Sequence, residues 1–263
     1  MKIINVTPDS FSDGGEFISS DQAILEIKKA IEIGTDYIDL GAESTRPGAE
    51  AVSSDEEWAR LEPVFYELSK IDLNTTKISL DSRNPETMIK ACATGLVHLI
   101  NDVSGYQSFD VLKECIDSSS AKNITLEYCA MHMHKSPESM QENPLSSKLA
   151  IASCDTFFSS AKASLLEAGF LEDNIYLDPG IGFGKDDAAN LLLINESQNW
   201  SKRFNLLYGI SRKSFLGRLL DIEKPKDRDA PSKALEISLA MMGTKIIRTH
   251  DAYNLIKVRD AIC

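Results

Sequence analysis

The chain has 263 residues and no long apolar run. Its uninterrupted apolar stretches, such as Leu191 to Ile194, fall far short of the ~20 residues a membrane helix needs. No basic segment followed by an apolar core opens it, so no secretory leader is expected. Cysteine is scarce: Cys92, Cys115, Cys129, Cys154 and Cys263 are odd in number and contain no C-x-x-C pair. That argues against a disulfide framework or a cysteine zinc site and fits a reducing, cytoplasmic setting. Basic residues are in the minority, 28 Lys and Arg against 40 Asp and Glu, for a net charge of −12. Nucleic acid is therefore not an expected partner, and neither is a membrane. Low-complexity tracts and Pro/Gly/Ser linkers are missing, so no internal domain boundary is expected.

What remains is an ordinary globular composition, 43% apolar and 26% charged. The length sits near the ~250 residues of a single α/β barrel. Short apolar runs alternate with helical stretches. The runs are Ile3-Ile4, Tyr37 to Leu40, Ile78 to Leu80, Leu96 to Ile100, Ile124 to Met133, Ile175 to Leu177, Leu206 to Tyr208, and Ile246-Ile247. Between them, Ile24, Ile27, Lys28 and Ile31, and Trp58, Leu61, Phe65 and Leu68, recur at helical spacing. Ser54 answered by Glu57 reads as a capping box, and Pro85 falls at a helical N1 position. Gly34, Gly95, Gly169 and Gly243 each end an amphipathic stretch before a strand. Eight strands alternating with helices predict a closed (β/α)8 TIM barrel over residues 1–263. A short last helix runs from Ala252 to Ile262.

Each predicted strand ends in polar or ionisable residues. These are Asn5, then Glu43 to Arg46, Asp81, Asn101-Asp102, His132 and His134, Asp178, Ser211 to Lys213, and Arg248 with His250. In a barrel, all of these converge on the face where active sites of this fold lie. Lys213, Arg248 and His250 follow the last two strands, where such barrels often bind phosphate. The segment after Ser211-Arg212-Lys213-Ser214 is helical and adds positive potential. Asp81, Asn101 and Asp178 supply acceptors and an amide suited to a flat, donor-rich heterocycle, since a carboxylate accepts two parallel N–H bonds.

Several motifs mislead. Gly180-Ile181-Gly182-Phe183-Gly184-Lys185 fails both the dinucleotide and the Walker patterns and reads as a loop that lets backbone approach a ligand. His132 and His134 share the i, i+2 spacing of a metal pair, but no carboxylate set accompanies them. Gly209-Ile210-Ser211-Arg212-Lys213 is not a nucleophile elbow.

The motif Asn5-Val6-Thr7-Pro8-Asp9-Ser10-Phe11-Ser12-Asp13-Gly14-Gly15 resembles the first signature of the dihydropteroate synthase family. Ser44-Thr45-Arg46-Pro47-Gly48 resembles its second loop. Asn101 to Ser104, Met131 to Met133, Asp178 to Lys185, Gly209 to Ser214 and Arg248 to Asp251 follow in the family's order. The resemblance implies a TIM barrel, usually dimeric. The implied reaction joins 6-hydroxymethyl-7,8-dihydropterin diphosphate to p-aminobenzoate with release of diphosphate. By motif position, Asn5 is implied as a ligand of Mg²⁺ on the diphosphate, with Thr45, Arg248 and His250 near the same group and Thr249 among the substrate-binding residues. Asp81, Asn101, Asp178 and Lys213 are implied around the pterin, with Met131 and Val103 against its face. Thr45, Arg46, Pro47, Phe183 and Ser211 are implied around the aminobenzoate, where sulfonamides are expected to compete. The catalytic set is then Asn5, Lys213, Arg248 and His250.

The chain departs from the family pattern at Asp81-Ser82-Arg83, at Gly41-Ala42-Glu43 and at His134 to Pro137. Met1 stands only a few residues before the first motif, which leaves two expectations: the barrel bottom is covered in another way, or the chain is one module of a longer folate-pathway polypeptide. The alternative reading is a pterin-binding barrel that passes a methyl group from methyltetrahydrofolate to a corrinoid. That protein has no need of Thr7 to Ser10, Thr45 to Pro47 or Ser211 to Lys213. A Schiff-base aldolase using Lys213 and a non-catalytic pterin-binding barrel rank below it.

Overall fold

The computed structural model describes residues 1–6, 17–43, 52–134 and 143–262. Eight parallel strands form the barrel: β1 (Lys2–Val6), β3 (Tyr37–Gly41), β4 (Lys77–Asp81), β5 (Val97–Asp102), β6 (Glu127–Met131), β7 (Ile175–Asp178), β8 (Asn205–Gly209) and β9 (Ile246–Arg248). They pair in sequence order. The ring closes through Ile3, whose N–H reaches the Thr249 carbonyl at 3.0 Å, and Thr249, whose N–H reaches the Met1 carbonyl at 3.0 Å. A two-residue strand, β2 (Phe17–Ile18), lies beside the end of β1. Nothing in the apolar pattern predicted it. Every predicted strand is present, but the run from Ile124 to Met133 shortens to Glu127–Met131. At its end the His132 N–H turns to the Asp178 carbonyl at 2.8 Å. His132 and His134 therefore follow the strand rather than share one of its faces.

The helices outside the ring are α1 (Ser20–Glu32), α2 (Ser54–Leu68), α3 (Pro85–Ala93), α4 (Phe109–Ser120) and α5 (Ser147–Ala168). They continue as α6 (Asp187–Asn195), α7 (Ser197–Trp200), α8 (Ser214–Leu220), α9 (Asp229–Met241) and α10 (Ala252–Ile262). Ile27 on α1 and Leu61, Phe65 and Leu68 on α2 are buried as the spacing predicts, while Ile24, Ile31 and Trp58 are partly buried and Lys28 is exposed. Gly34, Gly95, Gly169 and Gly243 all adopt positive φ at helix ends, a backbone state that glycine reaches without steric cost. The capping box shifts by one residue: Ser53, not Ser54, caps α2 by accepting the Glu56 N–H at 3.3 Å. Ser54 becomes the first helical residue, and Glu57 turns inward, fully buried, to accept from Ser82 (2.9 Å) and Asn84 (2.9 Å).

The barrel's lower end is plugged by polar groups. Buried Glu127 opens β6 and accepts from Tyr37 at 2.8 Å and from Lys77 at 2.7 Å. Level with it and above it inside the barrel, Met1, Leu99, Cys129, Leu207 and Ile246 form a small apolar layer. Replacing Glu127 with alanine removes a charged acceptor from two donors. The expected loss is about 1–3 kcal/mol of unfolding free energy, read from urea denaturation, with substrate affinities unchanged because the site lies at the other end.

Candidate active site

The register of the parallel strands decides which side chains meet. Asn5 pairs with Gly41, Gly41 with Asp81, and Asp81 with Asn101, so four strand ends form one rung. One layer below, in strands whose side chains alternate with period two, Asp39 pairs with Ser79. Across the barrel Met131 pairs with Asp178, and Gly209 with Arg248.

At the centre lies an ion cluster that spacing alone did not reveal. Asp39 is fully buried. It accepts from Ser79 at 2.5 Å, from Asn101 at 3.2 Å and from the Arg248 Nε at 2.5 Å. The Arg248 Nη2 donates to Asp81. Arg248 is thus drawn into the barrel across two carboxylates. Burial alone works against its charge, but Asp39 and Asp81 more than offset that and hold its pKa above the ordinary range. Asp81 is pushed up to about 7, chiefly by burial, with Arg248 opposing the shift and Asp39 adding to it. The signal for Asp39 was a lone charged residue inside the apolar run Tyr37 to Leu40.

Asp178 ends β7 and is pushed up to about 6, first by burial, while the Gly180 N–H, Lys213, Lys185 and Arg248 oppose the rise. One of its oxygens accepts the Gly180 N–H at 2.7 Å. Lys213 is pulled down to about 8 by burial, against the pull of Asp178. Its Nζ sits 4.0 Å from the centre of the Phe183 ring, a cation–π contact. Val103 and Met131 are buried, and Asn101 is 3% exposed. Lys213, Arg248, Asp81, Asp178, Asn101 and Phe183 therefore belong to one neighbourhood.

His250 stands slightly apart. Its N–H and Nδ1 lie 3.2 and 3.0 Å from the Ser211 Oγ. With Asn5 it lines a cleft of about 610 Å³ that also takes in Gln22, Lys29 and Arg212. Thr249 is buried, its backbone closing the barrel against β1. Arg212, one of the polar residues that follow β8, is held by Asp229 through its Nε (2.6 Å) and Nη2 (2.9 Å). His132 is buried as a structural residue against Ser153 (2.9 Å) and the Phe157 ring, with its pKa lowered to about 3, mostly by burial. Among the described residues, no three His, Cys, Asp or Glu side chains gather as a metal site. Thr45, Arg46 and Pro47 lie outside the described residues, as do Thr7 to Gly15.

Glu43 and Arg83 were not singled out as a pair. Arg83 makes two hydrogen bonds to Glu43, at 3.0 and 2.9 Å, and Glu43 also accepts the Val52 N–H at 3.2 Å. The residues flanking the second loop are thereby tied to the segment after β4. The missed signal was the pair of departures at Gly41-Ala42-Glu43 and Asp81-Ser82-Arg83.

The parallel barrel brings Asp81, Asn101, Asp178 and Lys213 to one end, and its class is that of the pterin-binding enzymes. The model of the family "Pterin binding enzyme" matches residues 1–250. The chain belongs to that family, in its dihydropteroate synthase branch. It is 37% identical to the dihydropteroate synthase of Escherichia coli strain K12 over 259 residues, which covers 98% of this chain and 88% of the relative. It is also 37% identical to that of Bacillus subtilis strain 168, over 98% of this chain and 85% of the relative. Among solved structures, it is similar to a Yersinia pestis dihydropteroate synthase in a sulfonamide drug complex, with a TM-score of 0.85, 35% identity and coverage of 99% and 92%. It is similar, too, to an Anaplasma phagocytophilum dihydropteroate synthase with bound 6-hydroxymethylpterin-monophosphate, with a TM-score of 0.84, 28% identity and coverage of 100% and 98%. These relatives are synthases, which decides against the corrinoid methyltransferase reading.

Proposed function

We propose that the strand ends of this barrel condense 6-hydroxymethyl-7,8-dihydropterin diphosphate with p-aminobenzoate, giving 7,8-dihydropteroate and diphosphate. The observation that carries this reading is the joining of Asp81, Asn101, Asp178 and Lys213 at one barrel mouth. The second oxygen of Asp178, left over from the Gly180 N–H, accepts from the donor edge of the pterin. Asn101 and Asp81 complete that edge, Val103 and Met131 face the ring, and Lys213 donates to it. The bond that breaks joins the pterin CH₂ to a diphosphate oxygen. Negative charge grows on the leaving group, where Arg248, His250 and Thr45 stabilise it. Positive charge grows on the CH₂ and spreads into the ring, where Asp81 and Asp178 favour it. The aromatic amine is already unprotonated at neutral pH, so Phe183, Ser211, Thr45, Arg46 and Pro47 have only to place it.

Mg²⁺ suits this site. It keeps several waters and commonly takes one or two protein oxygens plus phosphate oxygens. The half-buried carboxamide of Asn5 at the end of β1 is one such neutral donor. When bound, the ion neutralises the leaving diphosphate. Replacing Asn5 with alanine is expected to raise the Mg²⁺ concentration for half-maximal turnover while leaving the KM for p-aminobenzoate unchanged. A metal titration of the initial rate checks this.

Four large exposed apolar side chains, Leu219, Leu220, Met241 and Tyr253, lie on α8, α9 and α10, which supports a homodimer through these last helices. The buried thiols Cys92, Cys115, Cys129 and Cys154 are free, and no helix among the described residues is long and apolar enough to cross a membrane. Both observations support a cytoplasmic enzyme. Its barrel forms a single domain over 1–263, alone or as one module of a longer folate-pathway chain. Sulfonamides, present in a relative's solved complex, are expected to compete with p-aminobenzoate.

The deciding experiment is a coupled assay for diphosphate release with the pterin diphosphate, Mg²⁺ and p-aminobenzoate. Release that depends on the amine supports the synthase. Release that ignores the amine, or no release, sinks it.

A further inference from the structure

Lys185 has no part in the chemistry above, yet its side chain is among the most committed in the molecule. It is 3% exposed. Its Nζ donates to the carbonyl oxygens of His132 at 3.1 Å, Gly180 at 2.9 Å and Phe183 at 3.0 Å. These three acceptors use all three donors of an ammonium. No carboxylate among the described residues forms an ion pair with it. A buried ammonium hydrogen-bonded only to neutral oxygens is costly, and burial pulls its pKa down to about 8, against the pull of Cys154 and Asp178. Packing alone would be met more cheaply by an apolar residue.

The three carbonyls belong to two segments. His132 follows β6, and Gly180 and Phe183 belong to the loop after β7. The loop passes so close that a Cβ on Gly180 would sit 2.0 Å from the His132 oxygen, and φ at Gly180 is +65°. Only glycine fits there. From outside, the Asn190 Oδ1 accepts the Gly182 N–H at 2.7 Å, and its Nδ2 reaches the Lys185 carbonyl at 3.3 Å. Inward, the loop presents the Phe183 ring to the Lys213 Nζ at 4.0 Å. A Cβ on Gly182 would lie 3.4 Å from the Lys213 Cδ.

We propose that Lys185 is a positioning residue that sets the affinity for the aromatic amine, by fixing the loop that carries Phe183 against Lys213. The inference rests on the synthase reading. Wild-type turnover separates the two: without amine-dependent diphosphate release the reading itself falls, whereas normal wild-type turnover with unaffected variants sinks only the inference.

The test compares Lys185→Ala, Lys185→Met and Phe183→Ala by steady-state kinetics, with pterin affinity measured by calorimetry. Lys185→Ala and Lys185→Met should both raise the KM for p-aminobenzoate about tenfold or more, because a small misplacement at a binding wall is amplified in turnover. Pterin affinity should stay within about threefold. Propylammonium supplied to Lys185→Ala should restore part of the lost amine affinity, and propanol should not. Phe183→Ala should reproduce the rise and add little to it in the double variant. A wild-type KM in Lys185→Met would show that bulk alone is needed and overturn the proposal. Equal losses for both substrates would overturn it too. If the lysine variants fail to fold, Phe183→Ala decides: an unchanged amine KM refutes the proposal, and a raised one with native thermal unfolding supports it.

Discussion

Replacing Arg248 with alanine is expected to damage this protein twice. The first damage is to stability. Arg248 bridges Asp39, which is fully buried, and Asp81. Removing the guanidinium leaves the Asp39 carboxylate, among the described residues, with only Ser79 and Asn101 as donors. Breaking a buried pair from one side typically costs about 3–5 kcal/mol, to be read as a lower urea midpoint. The second damage is to turnover. Loss of a cation that stabilises a leaving group costs about 10²–10³ in kcat. The two effects separate in the double replacement Arg248→Ala with Asp39→Asn. Neutralising Asp39 should recover much of the stability and none of the rate. A double variant as unstable as the single one would contradict the ion-pair account. A single variant with native kcat would remove Arg248 from the chemistry.

The second large effect is expected at Asp178. With one oxygen held by the Gly180 N–H, Asp178→Asn trades a charged acceptor on a buried edge for a neutral one. Pterin binding should weaken by about 2–3 kcal/mol, roughly 30- to 150-fold, as seen by calorimetry. Unchanged affinity would refute the role. The pH dependence has two opposite signs. Burial raises this group from its ordinary 3.8 to about 6. Between those values the folded chain holds more protons than the unfolded one. The group's contribution to stability therefore improves as pH falls through 6 towards 4. Pterin binding needs the ionised form, so affinity should decline over the same window. Asp178→Asn should flatten that limb of the binding profile. A profile that stays steep in the variant would assign the limb to another group, with Asp81, raised to about 7, the first to examine.

Much of this was legible in the order of residues. Eight apolar runs, four glycine stops and Pro85 specify strands and helices because alternation, left-handed turns and a fixed φ are local properties. Asp81, Asn101, Asp178, Lys213 and Arg248 were legible because polar residues directly after apolar runs end strands, and parallel strands all end on one face. Local reasoning erred where two options differ by one residue. Either Ser53 or Ser54 satisfies the composition of a cap, and only the direction of Glu57 into the core selects Ser53.

The sequence by itself determined the barrel and which polar residues end its strands on one face. Tertiary structure alone decided who touches whom. Asp39 and Arg248 are 209 positions apart, and their pairing follows from strand register across a closed ring. Arg212 and Lys213 are neighbours in the chain, yet one is held by Asp229 and the other faces Phe183. Lys185 closed a loop read as letting backbone approach a ligand, and only folding put three carbonyls around it. The reason is the same in each case. Residue type sets what a group can bond to, but burial sets how strongly it must, and burial belongs to the whole fold.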